Sequence, residues 1–448
     1  MELQKKNVLV VGMATTGISC ARFLLDRGAR VTISDSQQVQ GEPAACRELA
    51  GRGTVLETGG HQLSTFLTAE LIVVSPGVPL EIAALQAAKA RGIEIISEIE
   101  LAFRFLKTPL IAITGTNGKT TTTSLLGEMF RNAGKRVFVG GNIGTPLIEY
   151  VAGPQEDDFV IAEISSFQLE AITSFRPLVS VMLNITEDHL DRYPSFADYS
   201  AAKNRIFVNQ GPEDTAVLNA DDPQVMALEK DIRAQKLFFS IRREVAAGAF
   251  YNGDITVRCL NAEARFSVKG ARLQGSHNIE NMMAAAVAGV VCALPLQDIQ
   301  RSLTGFTGLK HRMEFVDEVR GVAFYNDSKA TNVGAVVKSL ESLAPPLILI
   351  AGGKDKGGSY EPLRELIREK AKALVLLGEA REKIYAELGT SAETEIVSSL
   401  EEAVSAAFGK AMPGDTVLFS PACSSFDMFT SYAQRGDLFK ELVKKLQR

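Results

Sequence analysis

The sequence predicts an α/β protein of three domains whose sheets are mostly parallel, and three observations support this fold class. The 448 residues correspond to about three domains of roughly 150 residues each. Short strand-like apolar runs alternate with helical patterns along the whole chain, which is typical of parallel sheets covered on both faces. Many predicted strands end at glycine, asparagine or an acid, as expected where ligands bind at the carboxyl edge of a sheet.

The first predicted elements form a strand–helix–strand unit, Asn7–Val11, Gly17–Arg27 and Arg30–Ser34, and a further strand follows at Leu71–Val74. These runs are short, apolar and bounded by polar or glycine residues, which favours buried strands. The remaining predicted strands are Leu110–Thr114, Val137–Val139, Phe159–Ile164, Val179–Leu183, Thr215–Leu218, Leu237–Phe239, Val322–Tyr325, Leu347–Ile350, Leu374–Leu377 and Thr416–Phe419.

Two breaks in the pattern predict the domain boundaries. One lies near residue 98, between Ile96 and the Thr108–Pro109 break, and the other near residue 308, in the Gly305–Gly308 loop. The predicted domains are therefore residues 1–98, 99–308 and 309–448. No repeat of 20–50 residues is visible in the sequence, which argues against a solenoid.

Charge and cysteine content exclude several classes of function. The formal net charge is −5, whereas a sequence-independent nucleic-acid binder needs a basic surface. The longest near-apolar run, Met282–Leu296, is too short to span a bilayer. Five scattered cysteines without a Cys-x-x-Cys pair favour a reducing compartment. We therefore expect a cytoplasmic protein, acting as a monomer, without membrane insertion or nucleic-acid partners.

A phosphate-binding loop is the strongest local signal. It consists of Gly115, Thr116, Asn117, Gly118, Lys119, Thr120 and Thr121, and it lies between the strand Leu110–Thr114 and a helical stretch, Thr122–Arg131. Glycines allow the backbone N–H groups to cradle phosphate at a helix N-terminus. Lys119 reaches the outer phosphates in such loops, and the Thr120 hydroxyl is a ligand for Mg²⁺. The alternative is a glycine-rich turn that only caps a helix.

The turn from Gly12 to Gly17 resembles a dinucleotide fingerprint in which Ala14 replaces the middle glycine. Asp35 ends the second strand, where an acid often holds a ribose hydroxyl. Three interpretations remain open: a turn without a ligand, an NAD site, and a site for a nucleotide diphosphate such as a UDP-sugar. The third is favoured, because no hydride-transfer residues accompany the turn.

Two acidic strand ends predict a metal site. Glu163 interrupts an apolar strand, and burying an unpaired carboxylate is costly unless a cation compensates. His189 follows another strand end, within the acid-rich segment 184–191, and Mg²⁺ prefers oxygen ligands that an imidazole can complete. A structural histidine is the alternative, and Asp188 is equally consistent with a helix cap or a turn.

Lys203 lies on a partly apolar helix face with Tyr199, Ile206 and Phe207. Such a lysine usually extends its charge to the surface or forms an ion pair. The residues by themselves therefore do not favour a functional role for it.

The third domain carries lysine, arginine and hydroxyl side chains at several strand ends, which suits small carboxylates. The alternative for each segment taken singly is an ordinary loop between a strand and a helix. The segments are Asn326–Asn332, Gly352–Gly357 and Ser420–Asp427, preceded by His277–Asn281 and Gly308–Arg312.

In the order of these motifs, the chain resembles the Mur ligases, ATP-dependent amino-acid ligases of peptidoglycan precursor synthesis. The resemblance runs nearly end to end and includes Ser75–Val78, Gly115–Thr121, Glu163–Ser166, Asn184–Asp191, His277–Asn281, His311–Arg312, Asn326–Asn332 and Ser420–Ser425. The segments Gly141–Gly144, Ser165–Glu170 and Asp327–Asn332 are most similar to the member that adds D-glutamate.

The resemblance implies an N-terminal Rossmann-like domain for a UDP-sugar, a central P-loop ATPase-like domain, and a C-terminal Rossmann-like domain for an amino acid. It implies that ATP phosphorylates the carboxylate of UDP-N-acetylmuramoyl-L-alanine. The D-glutamate amine then attacks the acyl phosphate through a tetrahedral intermediate, and ADP and phosphate are released. The implied cofactors are ATP, two Mg²⁺ ions and a CO₂-derived carbamate on Lys203.

The resemblance also implies the site residues. Those for the UDP-sugar are Thr15, Thr16, Asp35, Ser36, Ser75, Gly77 and Asn142. Those for ATP are the loop residues Gly115 to Thr121 with Asn278, Asn281, Arg312 and Asp327. Those for D-glutamate are His189, Lys329, Thr331, Lys356, Ser425, Phe426 and Tyr432. The catalytic set is Lys119, Glu163, His189, Lys203 and Arg312, and the metal ligands are Thr120, Glu163, His189 and Lys203. Lys354 is the alternative to Lys356 for this role, and the position of the pair Gly352–Gly353 favours Lys356.

Two alternatives to a D-glutamate-adding enzyme come from other families or classes. A folylpolyglutamate-synthase-like ligase shares the phosphate loop, but it lacks the roughly 100 residues that precede Gly115 here. A nucleotide-binding regulator would bind ATP without ligation chemistry, and it would leave Lys203, Arg312 and Lys329 without a shared explanation.

Overall fold

The computed structural model describes residues 1–38, 44–190, 192–259, 262–273 and 275–446. These residues form two compact units. The first contains Met1–Asn184, Ser200–Val268 and Met282–Leu303, and the second contains Ile185–Tyr199, Lys269–Asn281 and Thr304–Arg448. Asp191, the last residue of the motif that begins at Asn184, lies outside the described residues.

The first sheet has five parallel strands in the order β3-β2-β1-β4-β5. Because its central strands are buried on both faces, they are short continuous apolar runs. The strands are β1 Asn7–Val11, β2 Arg30–Asp35, β3 Val55–Thr58, β4 Leu71–Val74 and β5 Ile95–Ser97. The helices that accompany them are α1 Thr15–Asp26, α2 Ala44–Gly51, α3 Leu63–Thr68, α4 Ala83–Ala90 and α5 Glu98–Phe103.

The second sheet is larger and mixed, with nine strands among the described residues. Its strands are β6 Leu110–Thr114, β7 Val137–Gly141, β8 Phe159–Glu163, β9 Val179–Met182, β10 Thr215–Asn219, β11 Gln235–Ser240, β12 Gly248–Tyr251, β13 Ile255–Cys259 and β14 Ala262–Phe266. Their order is β14-β13-β12-β11-β10-β9-β6-β8-β7. The pairs β12·β13 and β13·β14 are antiparallel and the others are parallel.

Helices follow most of these parallel strands along the chain. They are α6 Lys119–Asn132, α7 Leu147–Ala152, α8 Ser166–Leu169, α9 Phe196–Asn204, α10 Pro223–Ala227, α11 Ser276–Val291 and α12 Leu296–Gly305. Single turns of 3₁₀ helix occur at Arg205–Phe207, Glu229–Asp231 and Glu361–Leu363.

The third sheet has six strands in the order β15-β16-β20-β17-β18-β19, and only the edge pair β15·β16 is antiparallel. The strands are β15 Glu314–Val319, β16 Val322–Asn326, β17 Leu347–Gly352, β18 Ala371–Leu377, β19 Glu393–Ile396 and β20 Thr416–Phe419. The helices are α13 Val333–Ser342, α14 Arg364–Lys370, α15 Arg381–Leu388, α16 Leu400–Lys410 and α17 Tyr432–Lys445.

Both faces of the third sheet carry an apolar core. Ile348 and Ile350 of β17 belong to one buried cluster, whereas Leu347 and Leu349 belong to the other. Successive side chains of a strand point to opposite faces, so helices must cover the sheet on both sides. This arrangement confirms the predicted α/β class with mostly parallel sheets.

The structure confirms every strand that the sequence predicts, four of them with identical ends: β1, β4, β6 and β20. It adds short strands that the sequence analysis missed, namely β3, β5, β12, β13, β14, β15 and β19. No helix within the described ranges is long and apolar enough to cross a membrane.

Candidate active site

The phosphate loop connects β6 to α6 and is tied to the neighbouring strand β9. The N–H of Thr116 donates to the carbonyl oxygen of Asn184 at 2.9 Å, and the N–H of Asn117 donates to Oδ1 of Asn184 at 2.8 Å. Gly115 has φ of +147°, and a Cβ there would lie 3.0 Å from the Leu183 side chain. Glycine is therefore required at the start of this loop.

Two lysines donate to the same carbonyl oxygen of this loop. Nζ of Lys119 lies 2.9 Å from the Gly115 oxygen and 2.8 Å from the Thr116 oxygen. Nζ of Lys203, from α9, lies 2.8 Å from the Gly115 oxygen, and its side chain is buried. The structure thus brings Lys203, which the residues alone did not favour, to the phosphate loop.

Glu163 lies beside the loop at the end of β8, where it pairs in register with Ile113 of β6. Its Oε1 accepts a hydrogen bond from Nδ2 of Asn142 at 2.9 Å. Its Oε2 is buried and has no hydrogen-bond partner among the described residues. An unsatisfied buried carboxylate oxygen is costly, so this oxygen fits a cation such as Mg²⁺.

Protein side chains alone do not complete a metal site here. Within the part of the chain that the structure describes, no group of three or more His, Cys, Asp or Glu side chains is positioned to hold a metal ion. The Thr120 hydroxyl at the second position of α6 is a hard oxygen donor of the kind Mg²⁺ accepts. Further ligands would come from phosphate oxygens or a modified side chain.

The turn at the end of β1 is closely packed. A Cβ on Gly17 would lie 1.9 Å from the carbonyl oxygen of Gly12, so only glycine fits at this position. Oδ2 of Asp35 accepts the N–H of Met13 at 2.7 Å, and Oδ1 accepts the N–H of Gln37 at 2.8 Å. Asp35 therefore orders the turn that the sequence analysis assigned to the nucleotide sugar.

The other predicted UDP-sugar residues lie at the carboxyl edges of strands. Ser75 is buried, and its hydroxyl donates to the Gly12 carbonyl oxygen at 3.4 Å. The exposed or half-exposed residues among them, which a ligand can reach, are Thr15, Thr16, Ser36, Gly77 and Asn142.

Asp327 is fully buried at the end of β16. Its Oδ2 accepts hydrogen bonds from the hydroxyls of Ser339 at 2.5 Å and Ser420 at 2.8 Å, and Oδ1 accepts the N–H of Met313 at 3.2 Å. Burial raises the pKa of Asp327, whereas these hydrogen bonds and the charge of Arg312 oppose that rise. Nε of Arg312 is buried and has no hydrogen-bond partner among the described residues.

The beginning of α11 carries two more residues of the predicted nucleotide site, Asn278 and Asn281, next to His277. Asn278 and Asn281 are buried, and Nδ2 of Asn281 donates to Oδ1 of Asn278 at 3.3 Å. Burial, together with the nearby charges of Arg312 and Lys338, lowers the pKa of His277 to about 4. His277 is therefore uncharged at neutral pH.

Asp188 joins several predicted amino-acid-binding residues. Its Oδ1 lies 3.4 Å from Nζ of Lys356, and its Oδ2 accepts Nδ2 of Asn332 at 3.0 Å. The N–H of His189 donates to Oδ1 of Asp188 at 3.0 Å, and His189 has φ of +56°. Lys354 is exposed, whereas Lys356 is half-buried and is the lysine of this segment that pairs with Asp188.

The remaining amino-acid-binding predictions lie around the start of α17. Nζ of Lys329 lies 5.1 Å from the ring centre of Tyr432, a cation–π distance. Ser425 is buried and Thr331 is half-buried, whereas the Phe426 side chain is 68% exposed.

Sequence reasoning missed Arg435, which holds two of these loops together. Its guanidinium donates to the Ser328 hydroxyl and carbonyl at 3.0 and 2.8 Å, and to the carbonyls of Cys423 and Ser424. Burial lowers the pKa of Arg435 to about 10. The available signal was its position four residues before Phe439 on the apolar face of α17.

Sequence models of known families match the chain in three consecutive blocks. Residues 6–97 match the N-terminal domain of MurD-like Mur ligases, residues 113–289 match the Mur ligase middle domain, and residues 311–423 match the glutamate ligase domain of Mur ligases. A protein from Geotalea daltonii is 52% identical over 447 residues, with 100% of this chain and 99% of the relative covered. The chain belongs to the Mur ligase family.

That relative is named UDP-N-acetylmuramoylalanine–D-glutamate ligase, and other members of the Mur ligase family with the same name are similarly close. One from Geobacter metallireducens is 51% identical with 100% and 99% coverage, and one from Syntrophus aciditrophicus is 45% identical with 99% of each chain covered.

Solved structures share the Mur ligase fold at low sequence identity. A pseudomurein peptide ligase type C from Methanothermus fervidus has a TM-score of 0.62 at 20% identity, with 98% of this chain and 100% of that chain covered. MurF from Acinetobacter baumannii has a TM-score of 0.63 at 14% identity, with 99% and 91% covered. These similarities support the fold.

Proposed function

We propose that this chain is a cytoplasmic, ATP-dependent ligase that joins D-glutamate to UDP-N-acetylmuramoyl-L-alanine in peptidoglycan precursor synthesis. The single observation that carries the chemistry is the convergence of Lys119 and Lys203 on the Gly115 carbonyl, beside the unpartnered oxygen of Glu163. The substrate assignment is supported by relatives that are about half identical over their full length and carry this name.

The reaction proceeds in two steps. The carboxylate of the UDP-sugar substrate attacks the γ-phosphorus of ATP, the bond to the β-phosphate oxygen breaks, and ADP leaves. The D-glutamate amine then attacks the acyl carbon, and the tetrahedral adduct expels phosphate as the amine loses a proton. In the first step the attacking carboxylate and the attacked phosphate both carry oxygen anions, so positioned cations must reduce their repulsion.

Lys119 and Arg312 supply positive charge for the transferring phosphoryl group. Lys119 is held by loop carbonyls, which keeps its ammonium at the start of α6, where phosphates bind favourably. Nε of Arg312 has no hydrogen-bond partner among the described residues, and the side chain is half-buried. Preorganised donors of this kind stabilise transition-state charge.

Thr120 and Glu163 would hold one Mg²⁺, and His189 and Lys203 would serve a second. The ions would neutralise charge on the phosphate oxygens as the phosphoryl group transfers. For Lys203 to contribute oxygen, its uncharged amine must add to CO₂ and form a carbamate. The Lys203 side chain is only 2% exposed, and its Nζ lies 2.8 Å from the Gly115 carbonyl oxygen of the phosphate loop.

The remaining residues bind the three substrates. For the nucleotide sugar we propose Thr15, Thr16, Asp35, Ser36, Ser75, Gly77 and Asn142. Besides the loop from Gly115 to Thr121, we propose Asn278 and Asn281 for the adenine and Asp327 for the ribose of ATP. For D-glutamate we propose His189, Lys329, Thr331, Lys356, Ser425, Phe426 and Tyr432.

We propose domain boundaries near residues 98 and 308, and a monomer as the working form. Both boundaries fall in the intervals between consecutive family-model matches, which supports them.

Phosphate release by the purified protein tests the function. The protein receives ATP, Mg²⁺ and UDP-N-acetylmuramoyl-L-alanine, together with D-glutamate, L-glutamate, L-lysine or diaminopimelate in separate reactions. We expect release only with D-glutamate. Release with lysine or diaminopimelate instead, or ATP binding without release in any reaction, overturns the proposal.

A further inference from the structure

Glu98 is a buried carboxylate between the segments that match the N-terminal and middle domains of the family. It is the first residue of α5, and its side chain is 1% exposed. Its Oε1 accepts the N–H of Ile148 at 2.7 Å. Ile148 is the second residue of α7, where backbone N–H groups lack partners within the helix. Glu98 therefore caps a helix that begins about 50 residues later in the chain.

The first turn of α7 also contacts the first sheet's helix α1. The hydroxyl of Ser19 donates to Oε1 of Glu149 at 2.6 Å and to the Thr15 carbonyl oxygen at 2.9 Å. Thr15 begins α1 and belongs to the turn proposed to receive the nucleotide sugar. A shift of the first turn of α7 would therefore be transmitted to the turn from Gly12 to Gly17.

On its other side, α7 follows the loop that carries Asn142. The N–H of Gly141 donates to the Thr145 carbonyl at 2.9 Å, and the N–H of Asn142 donates to the Glu163 carbonyl at 2.8 Å. This loop ends at Pro146, which directly precedes α7. The Asn142 end of the loop is thus held by Glu163. The position of the Pro146 end depends on the first turn of α7.

We propose that Glu98 is a positioning residue for the UDP-sugar substrate, because its carboxyl group fixes the α7 turn that joins the Asn142 loop to the Ser19–Thr15 contact. This inference rests on the proposed function for its substrate. Glu98 acts through the turn and not by touching the reacting atoms.

The ionisation of Glu98 adds a pH dependence to this role. Burial raises the pKa of Glu98 to about 7, the hydrogen bonds from Ile148 and Gln168 oppose the rise, and the charge of Glu149 adds to it. The buried thiol of Cys20 also interacts with Glu98, and burial raises the pKa of this thiol. Above pH 7, Glu98 ionises, and because the cost of burying its charge exceeds the gain from these hydrogen bonds, the buried arrangement around the start of α7 loses stability.

Three variants test this role by steady-state kinetics. Glu98→Ala removes the cap on α7. We therefore expect the KM for the UDP-sugar to rise by about fivefold or more, which corresponds to the loss of one helix cap. The KM for ATP should change by less than twofold. Glu98→Gln keeps an acceptor for Ile148 and has no charge. It should therefore retain a low KM that stays flat from pH 6 to 8.5, whereas the wild-type KM rises above pH 7.

Glu100→Gln is the matched control, because Glu100 is equally buried on α5 but binds the loop at Thr173, Ser174 and Phe175. It should lower thermal stability without a selective change in the KM for the UDP-sugar. Equal changes in both KM values for Glu98→Ala, or an Ala-like phenotype in Glu98→Gln, overturn the role of Glu98.

Two further measurements distinguish a failure of the role of Glu98 from a failure of the proposed function. Since the folded state holds the Glu98 proton up to about pH 7 and the unfolded chain releases it near its ordinary pKa, stability falls as pH rises through this window. The melting temperature of Glu98→Gln should thus exceed that of wild type by more at pH 8.5 than at pH 5.5, and a constant difference contradicts the ionisation. Wild-type protein that never releases phosphate with this substrate refutes the proposed function instead.

Discussion

Two groups of lysines in this molecule are held by different kinds of acceptor. At the phosphate loop, Lys119 and Lys203 donate to the backbone carbonyl of Gly115, which is fixed by the strand before it and the helix after it. In the second unit, Lys356 pairs with the carboxylate of Asp188, a side chain that can rotate away. The first acceptor remains in place when an anionic substrate binds, whereas the second competes with one.

This difference teaches how an acidic protein with a net charge of −5 binds anionic substrates. A backbone carbonyl oxygen carries only a partial negative charge, so its hydrogen bond to Lys119 leaves the attraction of that ammonium for an anion largely intact. A lysine paired with a carboxylate gains much less from a new anion, because it must exchange one partner for another. We therefore expect substitutions at the first group to affect turnover strongly and substitutions at the second to change affinity modestly.

The largest effect is expected for Lys119→Ala. Without the ammonium, the transferring phosphoryl group loses a preorganised cation, and phosphate release should fall by about a thousandfold. Binding of the UDP-sugar, measured by titration calorimetry, should be retained, because its proposed residues lie elsewhere. Lys135→Ala, at an exposed lysine just beyond α6, serves as the control and should be fully active.

Lys203→Ala should lower phosphate release by about a hundredfold or more, the range seen when metal-site residues are replaced. Acetate or formate, added to the assay, should restore part of the activity by replacing the carbamate oxygens. Lys203→Arg should lose activity without such rescue, since its side chain fills the space. Full activity in Lys203→Ala excludes the carbamate.

Asp188→Asn tests whether the ion pair with Asp188 competes with the binding of an anion by Lys356. The amide keeps an oxygen for the His189 N–H but no longer neutralises Lys356, so the KM for D-glutamate should fall by about threefold, the size of one partly exposed ion pair. The KM for ATP should not change. A rise in the KM for D-glutamate would mean that Asp188 aligns Lys356 and does not compete with the substrate.

The smallest effect concerns the stability of the second unit, to which His277 belongs. His277 binds a proton below about pH 4 when folded, but near its ordinary pKa when unfolded. Acidification from pH 7 to 5 therefore favours the unfolded chain. His277→Gln, which does not titrate, should lose less melting temperature over this interval than wild type. Parallel losses in the two proteins would contradict the lowered pKa.

The central strands were predictable because burial on both faces leaves continuous apolar runs, as in β4 and β6. Three of the missed strands, β3, β5 and β19, lack that signal. β3 and β19 are edge strands whose residues are exposed or half-buried, and β5 has three residues. Their positions depend on the neighbouring strand with which they pair, and the local sequence does not specify that neighbour.

The residues of the site likewise differ in how far the sequence predicts them. The residues of the phosphate loop, Glu163 and the segments at the ends of β16, β17 and β20 could be assigned from sequence, since each is a short motif at a strand end. The roles of Glu98 and Arg435 could not, because each acts on residues distant in sequence: Glu98 on Ile148, and Arg435 on Ser328.

The sequence by itself determined the α/β class, the order of the strands along the chain and the chemistry available at the strand ends. These follow from local hydrophobic patterns and from motifs a few residues long. Only the tertiary structure decided which distant groups meet: Lys203 and Lys119 at one carbonyl, Asp188 and Lys356 in one ion pair, and Glu98 at the start of α7. Burial and hydrogen bonding act between neighbours in space, and in a sheet with crossover connections those neighbours are far apart in the chain.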